Sequence, residues 1–170
     1  MAIERRALRM AEIATGNRED ALDLVQDAML GLMKSYGNRA SADWPPLFYR
    51  ILQSRIRDWY RRNRVRNRFR VWLGGFRGDD DDAQGDAIQN MPDAQPGVER
   101  QVIGQDAMAQ LQEALQALPL RQQQAFLLRA WEGLDVSATA FAMGCSEGSV
   151  KTHYSRAVHR LREQLEDHWP

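Results

Sequence analysis

One stretch near the middle of the chain, GGFRGDDDDAQGDAIQNMPDAQPG over residues 74–97, decides what the rest can become. It is rich in Gly, Asp, Pro and Gln and poor in large apolar residues, so it cannot bury enough surface to offset the entropy of ordering itself. The chain is therefore expected to fold on either side of it, as a helical block over residues 1–70 and a second over 99–170, joined by a flexible acidic linker over 71–98. In a chain of 170 residues each block has room only for a thin core, which argues against a large enzyme with a deep cleft.

The formal net charge of zero is a cancellation of segregated charge. Residues 1–78 hold 16 basic and 8 acidic side chains, residues 79–108 hold 1 and 8, and residues 109–170 hold 6 and 7. Within the first segment Arg55–Arg70 carries eight arginines against Asp58 alone. A charge run is commonly a solvated helix face. One made almost wholly of Arg suits a polyanion, because the guanidinium matches phosphates and base edges. The run Asp79–Asp82 is consecutive rather than arranged as a cation loop, so a tether is the default, and an acidic mimic of nucleic acid is the sharper alternative.

The spacing predicts a helix over Ile3–Thr15 ended by Gly16, then a helix capped by Asn17 and running to Gly37. Ala21, Val25, Ala28, Met29, Leu32 and Tyr36 share one side of it, the expected core face. The other side presents Asp23, Gln26, Asp27, Leu30 and Lys34, with Leu24 on the edge; leucines beside acids suit either a partner surface or burial under a further helix. A third helix begins after Asp43 with Pro45 and Pro46 in its first turn. Leu47, Phe48, Ile51, Leu52, Ile56 and Trp59 form its apolar stripe, with Arg55 falling inside it as a structural ion-pair candidate. Arg50, Gln53, Ser54, Arg57 and Arg61 project from the opposite side. Trp44, Tyr49 and Tyr60 lie at the stripe's margins, where packing is the usual role and base stacking the alternative.

In the second block Leu118-Pro119 interrupts the pattern before a helix over residues 120–131 ended by Gly133. Ser137 is the expected cap of a short helix, Met143-Gly144-Cys145 a turn, and Ser146 the cap of a final helix. Two helices around a tight Gly-containing turn are a helix-turn-helix signature. The final helix buries Val150, Tyr154, Ala157, Val158 and Leu161 and offers Ser149, Thr152, Ser155, Arg156 and His159, flanked by Lys151 and Arg160. Every formal charge over residues 148–162 is positive. Long cations reach phosphates and guanine, and short hydroxyls fit near the groove floor, so DNA is favoured over a membrane or an acidic protein.

Cys145 has no partner in the chain, which excludes an internal disulfide and fits a reducing compartment. The opening MAIERRALRM lacks the apolar region of a secretory signal, and no apolar run is long enough to span a bilayer, so no membrane insertion and a cytoplasmic location are expected. No glycine phosphate loop, metal-ligand spacing or nucleophile elbow occurs, so no catalytic residue, metal or cofactor is expected.

The strings GNREDALDLVQDAMLGLMKSY and LFYRILQSRIRDWYRRNR, followed after the linker by ALQALPLRQQQAFLLRAWEGL and GCSEGSVKTHYSRAVHRLREQL, resemble in order and kind the bacterial sigma factors of the extracytoplasmic-function group. The resemblance implies an all-α fold of two small helical domains, the second with a helix-turn-helix, that directs RNA polymerase core to promoters. It assigns Asp23, Leu24, Gln26, Asp27 and Leu30 to docking on the beta-prime clamp coiled coil. Arg50, Gln53, Ser54, Arg57 and Arg61, with Asn38 and Arg39 in the preceding loop, would grip a melted −10 element. Glu147, Ser149, Lys151, Thr152, Ser155, Arg156 and Arg160 would read the −35 element. The beta flap and an anti-sigma factor are the further partners it implies.

Two departures from the family pattern stand out. Members usually carry more residues before the first core-binding segment, so an abbreviated first helix or a misplaced start is expected. The first helix of the turn motif reads Ser137-Ala-Thr-Ala-Phe-Ala, without the usual acidic-isoleucine pair. GSVKTH also resembles the recognition helix of LuxR-type regulators, an alternative that accounts for the second block but leaves the Arg-rich third helix idle.

Overall fold

The computed structural model describes the backbone of residues 2–74 and 102–165, and every element in it is helical. The aspartate run and most of the expected linker lie outside the described residues. In the front block, α1 (Ala2–Thr15) and α2 (Arg18–Tyr36) meet at Gly16, whose φ of +66° supplies the left-handed turn. Asn17 caps α2 as expected: its side chain accepts from the backbone N–H groups of Glu19 and Asp20 at 2.8 and 3.1 Å. Gly37 ends α2 with φ −62°, so the expected left-handed exit is absent; a Cβ there would come within 2.5 Å of the Met33 carbonyl oxygen.

A single 3₁₀ turn at Ser41–Asp43 leads into α3 (Trp44–Gly74), which starts on its proline pair and continues past the expected end at Arg70. Phe48, Leu52 and Ile56 recur every fourth residue and are buried against Ala7, Met10 and Ile13 of α1 and Leu24, Ala28 and Leu32 of α2. Each such apolar side chain contributes about 1.5–3 kcal/mol on leaving water.

The rear block comprises α4 (Val102–Ala117), α5 (Leu120–Phe126), α6 (Val136–Met143) and α7 (Glu147–Gln164). Pro119 separates α4 from α5. The predicted helix over residues 120–131 is α-helical only to Phe126; Leu127–Trp131 widen into a π-helical turn. Asp135, not Ser137, caps α6, accepting from the Ala138 N–H at 2.7 Å, and Ser137 sits exposed inside the helix. Gly144, at φ +64°, closes α6, and Ser146 caps α7 through the Ser149 N–H at 3.1 Å. Val150, Ala157 and Leu161 bury the inner face of α7, and Tyr154 stacks on Phe126.

The two blocks are packed together. α3 lies against α6, α1 meets α4, and buried residues of both blocks belong to one contiguous apolar cluster.

Candidate nucleic-acid and polymerase interfaces

On α2 the expected outward face is outward. Asp23, Gln26, Asp27 and Leu30 are exposed, joined by Leu22 and by Met33 at 61 % exposure, a residue absent from the expected set. Leu24 is the correction: at 4 % exposure it belongs to the core, because its angle on the helix falls toward α1 and α3. The strip sets exposed apolar residues among carboxylates.

On α3 the expected cations are present but engaged. The Arg50 guanidinium donates to the Phe141 carbonyl at 2.9 Å and lies 4.6 Å from the centre of the Phe141 ring. Arg57 donates to the Met143 carbonyl at 3.0 Å, and Arg121 of α5 donates to the same oxygen at 2.8 Å. Burial and the neighbouring Arg121 charge lower the Arg57 pKa. Gln53, expected on the free face, has no exposed surface: its side-chain amide nitrogen lies 2.8 Å from the Met10 sulfur, and the Gln124 side chain donates to its backbone carbonyl at 3.4 Å. Met10 of α1 and Gln124 of α5 lie against it from the two blocks.

Ser54 is half-buried, and Arg61 is exposed with Asp58 at 3.3 Å. Arg55 is exposed rather than inside the apolar stripe. With Tyr36, Leu47, Arg50, Ile51, Ser54 and Asp58 it lines a groove of about 250 Å³ between the end of α2 and α3. Asn38 and Arg39 are exposed in the adjoining loop, with Arg39 over the Tyr36 ring at 5.6 Å. Tyr49 is buried, as packing would have it, and its hydroxyl donates to Glu132 of the rear block at 2.5 Å. Burial, then that hydrogen bond, raises its pKa.

On α7 the expected reading face is open. Glu147, Lys151, Thr152, Ser155, Arg156 and Arg160 are exposed. Ser149 is half-buried and its hydroxyl pairs with that of Ser146 at 2.9 Å, while the Thr152 hydroxyl back-bonds to the Gly148 carbonyl at 3.0 Å. His159 lies 3.2 Å from Glu163.

Residues 2–66 match the family model for sigma-70 region 2, and residues 108–161 match that for sigma-70 region 4. The RNA polymerase sigma-E factor of Streptomyces antibioticus is 32 % identical over 147 residues, covering 86 % of this chain and 71 % of that protein. The chain belongs to the extracytoplasmic-function group of the sigma-70 family. The sigma-E factor of Streptomyces avermitilis is 31 % identical over 159 residues (94 % and 78 % covered), and the sigma factor SigM of Mycobacterium tuberculosis 28 % over 162 (95 % and 72 %). The co-crystal structure of the sigma factor RpoE with the anti-sigma factor NepR from Bartonella quintana shares the fold, with a TM-score of 0.65 at 22 % identity over 99 % of this chain and 94 % of that one.

A sigma factor carries out promoter-specific initiation with RNA polymerase, and the region 2 match accounts for the front block that the LuxR-type reading left idle. The family comprises transcription initiation factors rather than enzymes. Among the described residues no group of three or more His, Cys, Asp or Glu could hold a metal, and no helix is long and apolar enough to cross a membrane.

Several of the contacts that sequence reasoning missed join the blocks. Glu132 accepts from Tyr49 and lies 3.7 Å from Arg6, and its side chain is only 5 % exposed. The π-helical turn aims it: the widened turn, closed by the Glu132 N–H on the Leu127 carbonyl at 3.0 Å, brings residue 132 over α1 and α3. A carboxylate after a tryptophan carries no signal of a partner 83 positions away.

Proposed function

We propose that this sigma factor divides its labour among three helices: α2 docks on the beta-prime clamp coiled coil of core polymerase, α3 with the loop before it holds the melted −10 strand, and α7 enters the −35 major groove. The observation that carries the reading is the outer strip of α2, where Leu22, Leu30 and Met33 stand exposed beside Asp23 and Asp27. Exposed aliphatics are costly to leave in water, and a flanking pair of carboxylates selects a basic, apolar partner.

Arg50, Arg57 and Arg61 of α3, with Asn38 and Arg39, are the −10 contacts, and the groove beside Ser54 and Asp58 is the place for a displaced base. A flipped base costs a few kcal/mol of unstacking, which pocket contacts offset. Lys151, Arg156 and Arg160 supply phosphate contacts for α7, and Glu147 and Ser155 approach the base edges. Neither DNA-reading helix needs high affinity alone, because attachment to polymerase makes the second contact effectively intramolecular. The beta flap as a second anchor for the rear block, an anti-sigma factor as regulator and a cytoplasmic location belong to the same proposal; the co-crystal of RpoE with NepR supports the regulator by analogy of fold.

Reconstitution with sigma-free core and a promoter library tests it. Specific transcripts are expected only when both proteins are present, and sequence-specific duplex binding independent of core would overturn it. Asp27→Arg places a cation in the acidic strip and is expected to abolish co-purification with core while leaving the helical circular dichroism intact. Unchanged co-purification would refute the α2 assignment.

A further inference from the structure

A helix that met only phosphates would gain nothing from a carboxylate at its leading end. Every formal charge over residues 148–162 is positive, yet Glu147, the first residue of α7, stands exposed just before them. An acid in a first turn ordinarily serves the helix dipole. Here Ser146 already caps the helix, its side chain accepting from the Ser149 N–H at 3.1 Å.

The neighbouring side chains have little left to offer a base edge. The Ser149 hydroxyl is tied to that of Ser146 at 2.9 Å, and the Thr152 hydroxyl spends its proton on the Gly148 carbonyl at 3.0 Å. Lys151 follows Glu147 at the four-residue spacing that suits an ion pair, but among the described residues nothing pairs with the Glu147 carboxylate. Glu147 is therefore an uncommitted polar group at the end of α7 that leads into a groove.

We propose that Glu147 determines specificity in the −35 element by selecting a cytosine, whose exocyclic N4 amino group donates to the carboxylate. The proposal rests on the reading of α7 as the −35 helix. An ionised carboxylate only accepts. Guanine offers N7 and O6 and thymine offers O4, all acceptors, so both bases repel it. Adenine sets its N7 acceptor beside the amino group, whereas cytosine presents an amino group with no acceptor on its own edge. At a C·G pair the carboxylate gains a partner, and elsewhere it meets only repulsion from acceptors and phosphates. Glu147 thus contributes discrimination, while Lys151, Arg156 and Arg160 hold the helix to the backbone.

Holoenzyme reconstituted from the full chain and sigma-free core, given promoter duplexes randomised through the −35 segment, reports the base selected at each position. The parent is expected to prefer a C·G pair at one position, and Glu147→Ala to lower that preference about tenfold there and nowhere else. Glu147→Gln keeps an acceptor and adds a donor, the combination that fits adenine N6 and N7. It is expected to move the same position from cytosine toward adenine.

Unchanged selection at every position in Glu147→Ala would overturn the proposal. So would a lower melting temperature with all positions weakened alike, the mark of a carboxylate that serves only the helix dipole. Lys151→Ala with Arg156→Ala separates this failure from that of the underlying reading. If the double replacement weakens −35-dependent binding while Glu147→Ala changes nothing, the role of Glu147 alone falls. If neither has an effect, α7 is not the −35 helix, and the proposal falls with that reading.

Discussion

On α3 the guanidiniums of Arg50 and Arg57 already have acceptors inside the molecule, whereas on α7 Lys151, Arg156 and Arg160 face solvent. Both helices alternate a buried aliphatic face with a cationic one, and composition alone would rank them together. What separates them is the neighbour. α3 lies beside α6, whose last-turn carbonyls accept from its arginines, whereas Lys151, Arg156 and Arg160 of α7 are exposed. A surface built to recognise oxygen acceptors in a line also recognises the terminus of a helix, so the use of a basic face depends on what the fold sets opposite it.

The largest effect that sharpens this contrast comes from under α7. Leu161 is fully buried beneath the proposed reading face, and Leu161→Ala is expected to cost about 2–5 kcal/mol by opening a cavity. Calorimetry should show the loss, and duplex binding should fail at temperatures where the parent chain still binds. A stability change under about 1 kcal/mol would show that α7 is not held by its inner face.

A smaller effect is expected at the caps. Ser146→Ala removes the acceptor for the Ser149 N–H and the hydroxyl partner of Ser149, at about 1 kcal/mol. Asn17→Ala at α2 removes two such bonds at similar cost. The two differ in reach: fraying at Ser146 loosens Glu147 and Ser149 of the reading face and should weaken duplex binding, whereas fraying at Asn17 should leave it unchanged. Equal loss of duplex binding in both would remove the distinction between the faces.

How far the sequence discloses this arrangement follows the range of the interactions. Asn17, Gly16, the Pro45-Pro46 start and Ser146 act within a few residues of themselves, and the structure places them as read. Ser137 misled because two capping side chains, Asp135 and Ser137, lie two positions apart and only the earlier meets a free N–H. Leu24 misled because it lies at the edge of two faces, and angle alone does not say which one a third helix covers. Periodicity placed Gln53 and Arg57 on the side of α3 away from its stripe, yet the rear block supplies a second neighbour there, and no local pattern reports a contact 71 or 86 residues away.

The smallest effect is a dependence on pH confined to the α7 side. The His153 ring is half-buried with Nδ1 lacking a partner, and burial, then Arg121, then Arg156, lower its pKa from the ordinary 6.5. The unfolded chain therefore binds the proton more readily than the folded one. Stability from this group is present above 6.5 and is lost as pH falls from 6.5 through the lowered folded value. The melting temperature should decline on acidification from about pH 7 to about pH 6, before carboxylates titrate, and His153→Gln should flatten that slope. The α3–α6 contact is made by Arg50 and Arg57 with backbone carbonyls and not by a histidine, so single-strand affinity on the α3 side should not follow the same curve. A His153→Gln chain that keeps the parent slope would place the titrating group elsewhere, and a parallel change in single-strand affinity would show that the two faces do not respond separately.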